Sequence, residues 1–221
     1  MKKTLLLMTF VLGVSYSALA SPCAVDPLAV YDATGFSCTI GDITFSDFQY
    51  TPTSTGGAVV PTDTGVEVTP TTTMGGDSGF DFAAGWSAGP GSAIDSLIQY
   101  TATCNGCDFT DLSLIIAGAN ASGNSFVNVA ETTPDPVESL GAGVAGGGTP
   151  VLSDSVTFGP VDTLQLSKDI HVNGGSTGFG AQVSEVTNLF SQGSTVPEPS
   201  SLILCTGLLC LLPIARRKFG V

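Results

Sequence analysis

The sequence predicts an all-β protein: a single β-sandwich or jelly-roll-like domain, with a signal helix before it and a hydrophobic helix after it. Three observations lead there. Short segments alternate apolar and polar residues with period 2, glycine-rich turns separate them, and no amphipathic helix of respectable length lies between the two ends. Of 221 residues, 28 are Gly and 13 are Pro, which breaks up any long helical run and excludes a helix bundle. A hydrophobic share of 43% excludes a disordered acidic tail. With 6 Lys+Arg against 19 Asp+Glu, the chain has no basic surface for phosphate, so nucleic acid is not expected as a partner.

The charges divide the chain. Lys2 and Lys3 stand at one end, Arg216, Arg217 and Lys218 at the other, and Lys168 alone lies between. Residues 1–20 read as a secretory signal peptide: Lys2 and Lys3, an apolar stretch over 4–14, then Ala18-Leu19-Ala20 as the small-x-small site for signal peptidase, with Ala18 and Ala20 flanking the leucine before Ser21. Residues 21–195 form the exported β-rich body. Residues 196–221 carry Pro197, Glu198 and Pro199, an apolar stretch over 202–215, and the stop-transfer cluster Arg216, Arg217 and Lys218. Fourteen helical residues rise about 21 Å against a hydrocarbon core of about 30 Å, so snorkelling basic side chains are needed to complete the span. The basic tail stays on the cytoplasmic side of the inner membrane and the body outside.

Within the body, the strands are expected in order. Ile43, Phe45, Phe48 and Tyr50 alternate with one break, which predicts a strand with a bulge at Ser46-Asp47. Residues 51–73 hold nine Thr and three Pro and read as an exposed linker, with short edge strands at most. Strands follow at 80–86, 94–104, 109–118, 125–132, 151–158, 162–168, 170–173 and 179–190, with turns at Asn105-Gly106, 119–123 and Asn173-Gly174-Gly175. Residues 141–149 are nearly all Gly and Ala and read as a flexible loop.

Four motifs bear on chemistry. Gly141, Gly143 and Gly146 match a dinucleotide-binding spacing but lack a following helix, so no cofactor is expected. Gly76-Asp77-Ser78-Gly79 has the form of a serine nucleophile segment, yet the chain's one histidine, His171, lies downstream of it, and Ser activation needs a base and an orienting acid. The segment is therefore read as a turn, with no catalytic residue and no enzyme. Cys104-Asn105-Gly106-Cys107 suits a turn closed by a structural disulfide, and Cys23 and Cys38 form the other local pair; sequence alone permits three connectivities. Asp77, Asp81, Asp108 and Asp111 lack the spacing of an EF-hand, so no metal ligand is assigned. Trp86, Tyr100 and Tyr50 fit either an aromatic sugar platform or a core.

The order Pro197-Glu198-Pro199, apolar helix, Arg-Arg-Lys resembles the PEP-CTERM sorting signal of Gram-negative bacteria. The resemblance covers about the last 25 residues. It implies processing near the Pro-Glu-Pro motif by an exosortase, a membrane-embedded cysteine protease, and coexistence with exopolysaccharide. In the body, Cys23, the stretch from Cys38 to Phe48, Ile98-Gln99-Tyr100-Thr101, Val129-Ala130-Glu131-Thr132 and Lys168-Asp169-Ile170 resemble PEP-CTERM proteins of acidobacterial type. That resemblance implies export and a shared β-fold, and no activity. The expectation is an exported protein, sorted to the cell surface or the extracellular polysaccharide matrix of a biofilm, with a structural or matrix-associated body. The alternative is a carbohydrate- or Ca²⁺-binding surface module.

Overall fold

The computed structural model describes residues 20–193. Ala18, the Pro197-Glu198-Pro199 motif, the basic cluster at Arg216, Arg217 and Lys218 and both expected terminal helices lie outside the described residues. Among those residues, no helix is long and apolar enough to cross a membrane.

The chain runs β1 (Ser21–Pro22), β2 (Asp26–Pro27), α1 (Leu28–Tyr31), β3 (Ser37–Ile40), β4 (Ile43–Thr55), β5 (Glu67–Thr72), β6 (Ser78–Ala88), β7 (Ala93–Cys104), β8 (Asp108–Ala117), β9 (Asn120–Ala121), β10 (Phe126–Pro134), β11 (Val137–Ala145), β12 (Ser153–Val161), β13 (Thr163–Asn173) and β14 (Ala181–Gly193). One sheet has the order β1-β3-β4-β7-β13-β10-β11, and the other β12-β8-β14-β6-β5-β2, with β9 added beside β14. All pairings are antiparallel except β1 with β3. The two sheets enclose one hydrophobic core, as in a β-sandwich.

Alternation decides what enters that core. On β7, Ile94, Ser96, Ile98, Tyr100, Ala102 and Cys104 are buried and the residues between them are half-exposed. Phe45, Phe48, Phe80, Phe82 and Tyr100 form a ring cluster with centroids 4.5–6.3 Å apart. The bulge falls where the sequence placed it. Between Ser46 and Gln49 the register on β7 advances one residue less than on β4, and Asp47 takes φ 56°.

Four expectations need correction. Much of the expected linker at 51–73 is strand, because β4 runs on to Thr55 and β5 takes Glu67–Thr72. Pro52 and Pro70 are tolerated because each sits on a stretch with a neighbour on one side only, where a missing N–H costs no ladder bond. The expected loop at 141–149 begins as β11, paired with β10 from Val137 to Ala145. Gly143 is required there, since a Cβ would stand 2.5 Å from the Val127 carbonyl oxygen. The expected strands 162–168 and 170–173 are one strand, β13, continuous through Asp169. Gly76-Asp77-Ser78-Gly79 is half turn and half strand, because Ser78 opens β6.

Among the described residues, the disulfides are Cys23–Cys38 and Cys104–Cys107. The first ties the segment after β1 to β3, where β1 already pairs with Cys38 and Thr39. The second closes the β7–β8 turn, beneath an Asn105 whose Nδ2 donates to the Asp42 carbonyl at 3.0 Å. With a separation of 15, loss of Cys23–Cys38 in a Cys23→Ala, Cys38→Ala variant is expected to lower stability by about 3 kcal/mol on the chain-entropy relation. Cys104–Cys107, with a separation of 3, is expected to contribute about 2 kcal/mol. Urea unfolding of the two double variants checks both values and their order.

Candidate functional site

β13 reads Leu164, Leu166, Lys168, Ile170 and Val172 on its inward face. The body's single lysine thus occupies the register position of a core aliphatic, with 0% exposure. Directly opposite it on β10 stands Glu131, also at 0%, following Val127 and Val129 on the same inward face. Lys168 Nζ donates to Glu131 Oε2. From the facing sheet, Asn188 of β14 lies between Val186 and Phe190, fully buried, and its Nδ2 donates to Glu131 Oε1 at 2.6 Å. Asn188 Oδ1 in turn accepts from the Tyr100 hydroxyl at 3.3 Å. The Phe82 ring centroid is 6.0 Å from Nζ.

Local sequence places each member. Gly79 lets β6 close on β14, since a Cβ at that position would stand 1.9 Å from the Asn188 carbonyl oxygen. Tyr100 is held by a stacked contact with Phe48 at 5.1 Å. Burial pulls the Lys168 ammonium below the ordinary lysine range, and the Glu131 charge opposes that pull. Burial, then the Glu131 charge, push the Tyr100 phenol well above its ordinary value. The cluster is therefore an amine, a carboxyl group, a primary amide and a phenol sealed from water between two sheets. Sequence reading placed Tyr100, Glu131 and Lys168 in separate short stretches and did not join them. The available signal was a lone lysine on the inward register of an aliphatic strand, and it was hidden by dividing that strand at Asp169.

The other expected residues fall elsewhere. Trp86 at 0% and Tyr100 at 2% exposure belong to the core, and the Tyr50 hydroxyl donates to the Pro61 carbonyl at 2.8 Å, so these three rings form no platform for a sugar. His171 lies on β13 against Phe126 at 5.3 Å, whereas Ser78 lies in the opposite sheet with its hydroxyl 3.2 Å from Thr72 Oγ1. Asp77 accepts from Ser191 at 2.7 Å. Among the described residues, no group of three His, Cys, Asp or Glu side chains is placed to hold a metal ion. A groove of about 650 Å³ is lined by Asp108, Asp135, Asp162 and Gln165. A second, of about 390 Å³, has only uncharged polar groups, Ser87, Asn120, Ser122 and Gln182, beside a Phe179 that is 95% exposed.

No protein-family model matches the chain, and no curated protein matches it. Among solved structures, the enzymatically active domain of tailspike protein 4 from bacteriophage CBA120 is similar over 64% of this chain and 19% of its own, at 15% identity and TM-score 0.30. A carbohydrate-binding module of the β-sandwich superfamily, described as promiscuous in specificity, is similar over 80% of this chain and 64% of its own, at 12% identity and TM-score 0.26. The chain spans less than two thirds of either structure, and at these scores neither likeness bears on its function.

On the outward face of β13, burial and then the neighbouring Asp95 carboxylate hold the Asp169 carboxyl above the usual range, with His171 pulling the other way. The folded state thus holds this proton more tightly than the unfolded chain does. The stability it contributes is present in acid and lost as pH rises through the raised value. Asp169→Asn is expected to be more stable than the parent at neutral pH and to lose the decline between mildly acidic and neutral solution. Thermal midpoints of both proteins across that range check the sign.

Proposed function

We propose that the chain is an exported protein whose body is a structural, matrix-associated β-domain, sorted to the cell surface or the extracellular polysaccharide through its C-terminal motif. The observation that carries this reading is the pair of disulfides, which persist in an oxidising compartment and not in the cytosol. The surface charge supports it. Lys168 is the single Lys or Arg among the described residues and is buried, so the exposed face of the domain has acids without a compensating lysine or arginine. Such a surface stays hydrated and repels polyanions. Signal peptidase releases the chain after Ala20; an exosortase in the inner membrane cuts at Pro197-Glu198-Pro199, and the body is handed on. The mature chain is expected to begin at Ser21 and end close to residues 196–199, by intact mass from an exosortase-positive host. Replacing Pro197-Glu198-Pro199 with Ala is expected to leave the precursor in the inner membrane; unchanged release overturns the sorting reading.

A second reading is favoured by one feature. Phe179, 95% exposed beside Ser87, Asn120, Ser122 and Gln182, offers a ring face and uncharged hydrogen-bonding groups, the chemistry that suits a neutral sugar rather than an ionic ligand. Phe179→Ala is expected to leave the thermal midpoint unchanged, because the ring is not packed. It is expected to weaken retention on a neutral polysaccharide by about tenfold, the loss of one ring contact. Affinity electrophoresis in gels cast with neutral glucan checks this; equal retention of parent and variant removes the groove from consideration.

A further inference from the structure

We propose that Lys168 and Asn188 join covalently, the Lys168 side chain being acylated by the Asn188 side chain with Glu131 moving the protons, so that an isopeptide bond links β13 to β14 through the core.

The four buried groups sit in the roles that this reaction requires. Lys168 Nζ and Asn188 Nδ2 are both hydrogen-bonded to the Glu131 carboxyl group, which brings nucleophile and leaving group to one proton carrier. Tyr100 donates to Asn188 Oδ1, the oxygen on which negative charge develops when the amide carbon is attacked. Burial favours the neutral, nucleophilic amine over the ammonium ion. All four residues are at most 2% exposed, so water does not compete for the amide carbon. An ion pair alone needs only Lys168 and Glu131. The amide aimed at the same carboxyl group, with a phenol on its carbonyl, is the part that charge pairing does not explain.

The step balances without an oxidant or any added reactant. The pair relaxes to amine and carboxylic acid by passing a proton from Nζ to Glu131. Nζ attacks Asn188 Cγ, and the oxyanion is held by the Tyr100 hydroxyl. Glu131 gives its proton to Nδ2 and takes one from Nζ. The Cγ–Nδ2 bond breaks, ammonia leaves, Cγ–Nζ becomes an amide, and Glu131 is again protonated. The product is an amide in a sealed core, where its hydrolysis is as slow as the entry of water. β14 is the last strand among the described residues, so a pull applied from its C-terminal end meets a covalent link to the other sheet.

The sequence supplies a sharp test. Between residues 21 and 193, Lys168 is the sole site for trypsin. The full chain, purified under native conditions, is denatured, reduced and digested exhaustively. Trypsin trims the basic ends in every case. The proposal expects the remaining body to stay in one piece, lighter than its sequence by one ammonia, with fragmentation placing the link between Lys168 and Asn188. Glu131→Gln and Lys168→Met are each expected to give bodies of full mass, and the Gln variant to be cut after Lys168. A folded parent of full mass that trypsin cuts after Lys168 overturns the proposal, whatever the variants do. Ammonia loss that persists in Lys168→Met overturns it too, since it then arises elsewhere, as by ring closure at Asn105-Gly106.

Discussion

A lysine amine in the middle of a hydrophobic core constrains strands of both sheets at once. Moving an ammonium ion out of water costs several kcal/mol even after relaxation, and it is tolerated only where a partner and further hydrogen bonds meet it. Lys168 has its partner in Glu131 of the neighbouring β10, and the further hydrogen bonds converge on that partner: Asn188 of the facing β14 donates to the Glu131 carboxyl group, and Tyr100 of β7 donates to Asn188. A one-residue slip of β10 would turn Glu131 outward and leave the amine without its partner, and one of β14 would turn Asn188 outward and strip the Glu131 carboxyl group of its amide. The registers on both sides of the core are therefore tied to one side chain, and the close approach of β6 at Gly79 belongs to the same arrangement.

The periphery is secured by different means. β1, β2 and β9 have only two residues each and bring few ladder bonds of their own. The Cys23–Cys38 disulfide holds the segment between β1 and β2 where hydrogen bonding is thin, and Tyr31, packed on Phe36, Phe48 and Phe80 at 4.8–5.6 Å, seals the same corner. Prolines at 52 and 70 sit on stretches open on one side, which also discourages pairing with another chain. A domain of this size has core enough to fold, so the disulfides reinforce its ends instead of replacing its centre.

The two functional readings draw on different surfaces. Export and sorting rest on the oxidised cysteines and on a terminal motif, while sugar recognition rests on a single exposed ring over a neutral groove. Neither uses the buried cluster. That cluster has no access for a ligand, so its chemistry is directed at the protein itself. A covalent bond between β13 and β14 would hold the last of the described strands to the facing sheet.

Composition and period determined the class of the protein without any help from contacts. Alternation at 94–104, 109–118 and 80–86 specified strands, because a pleated chain sends successive side chains to opposite faces. The break between Phe45 and Phe48 located the bulge at Ser46-Asp47 for the same reason, and proximity in the chain favoured the two disulfides among three permitted connectivities, of which the structure shows the local one. Where side-chain signals were thin, the sequence misled. The Gly-Ala run of β11 and the Thr-Pro run ending β4 looked like loop, because their strand character comes from the ladder of a neighbour and not from their own residues. The same limit governs the site. Leu164, Leu166, Ile170 and Val172 already marked the face on which Lys168 lies. That Glu131, 37 residues earlier, and Asn188, 57 beyond Glu131, would meet it was decided by which strands pair and which sheets face each other. Long-range pairing carries no local periodicity, so only the tertiary structure brings the amine, the acid and the amide to one point.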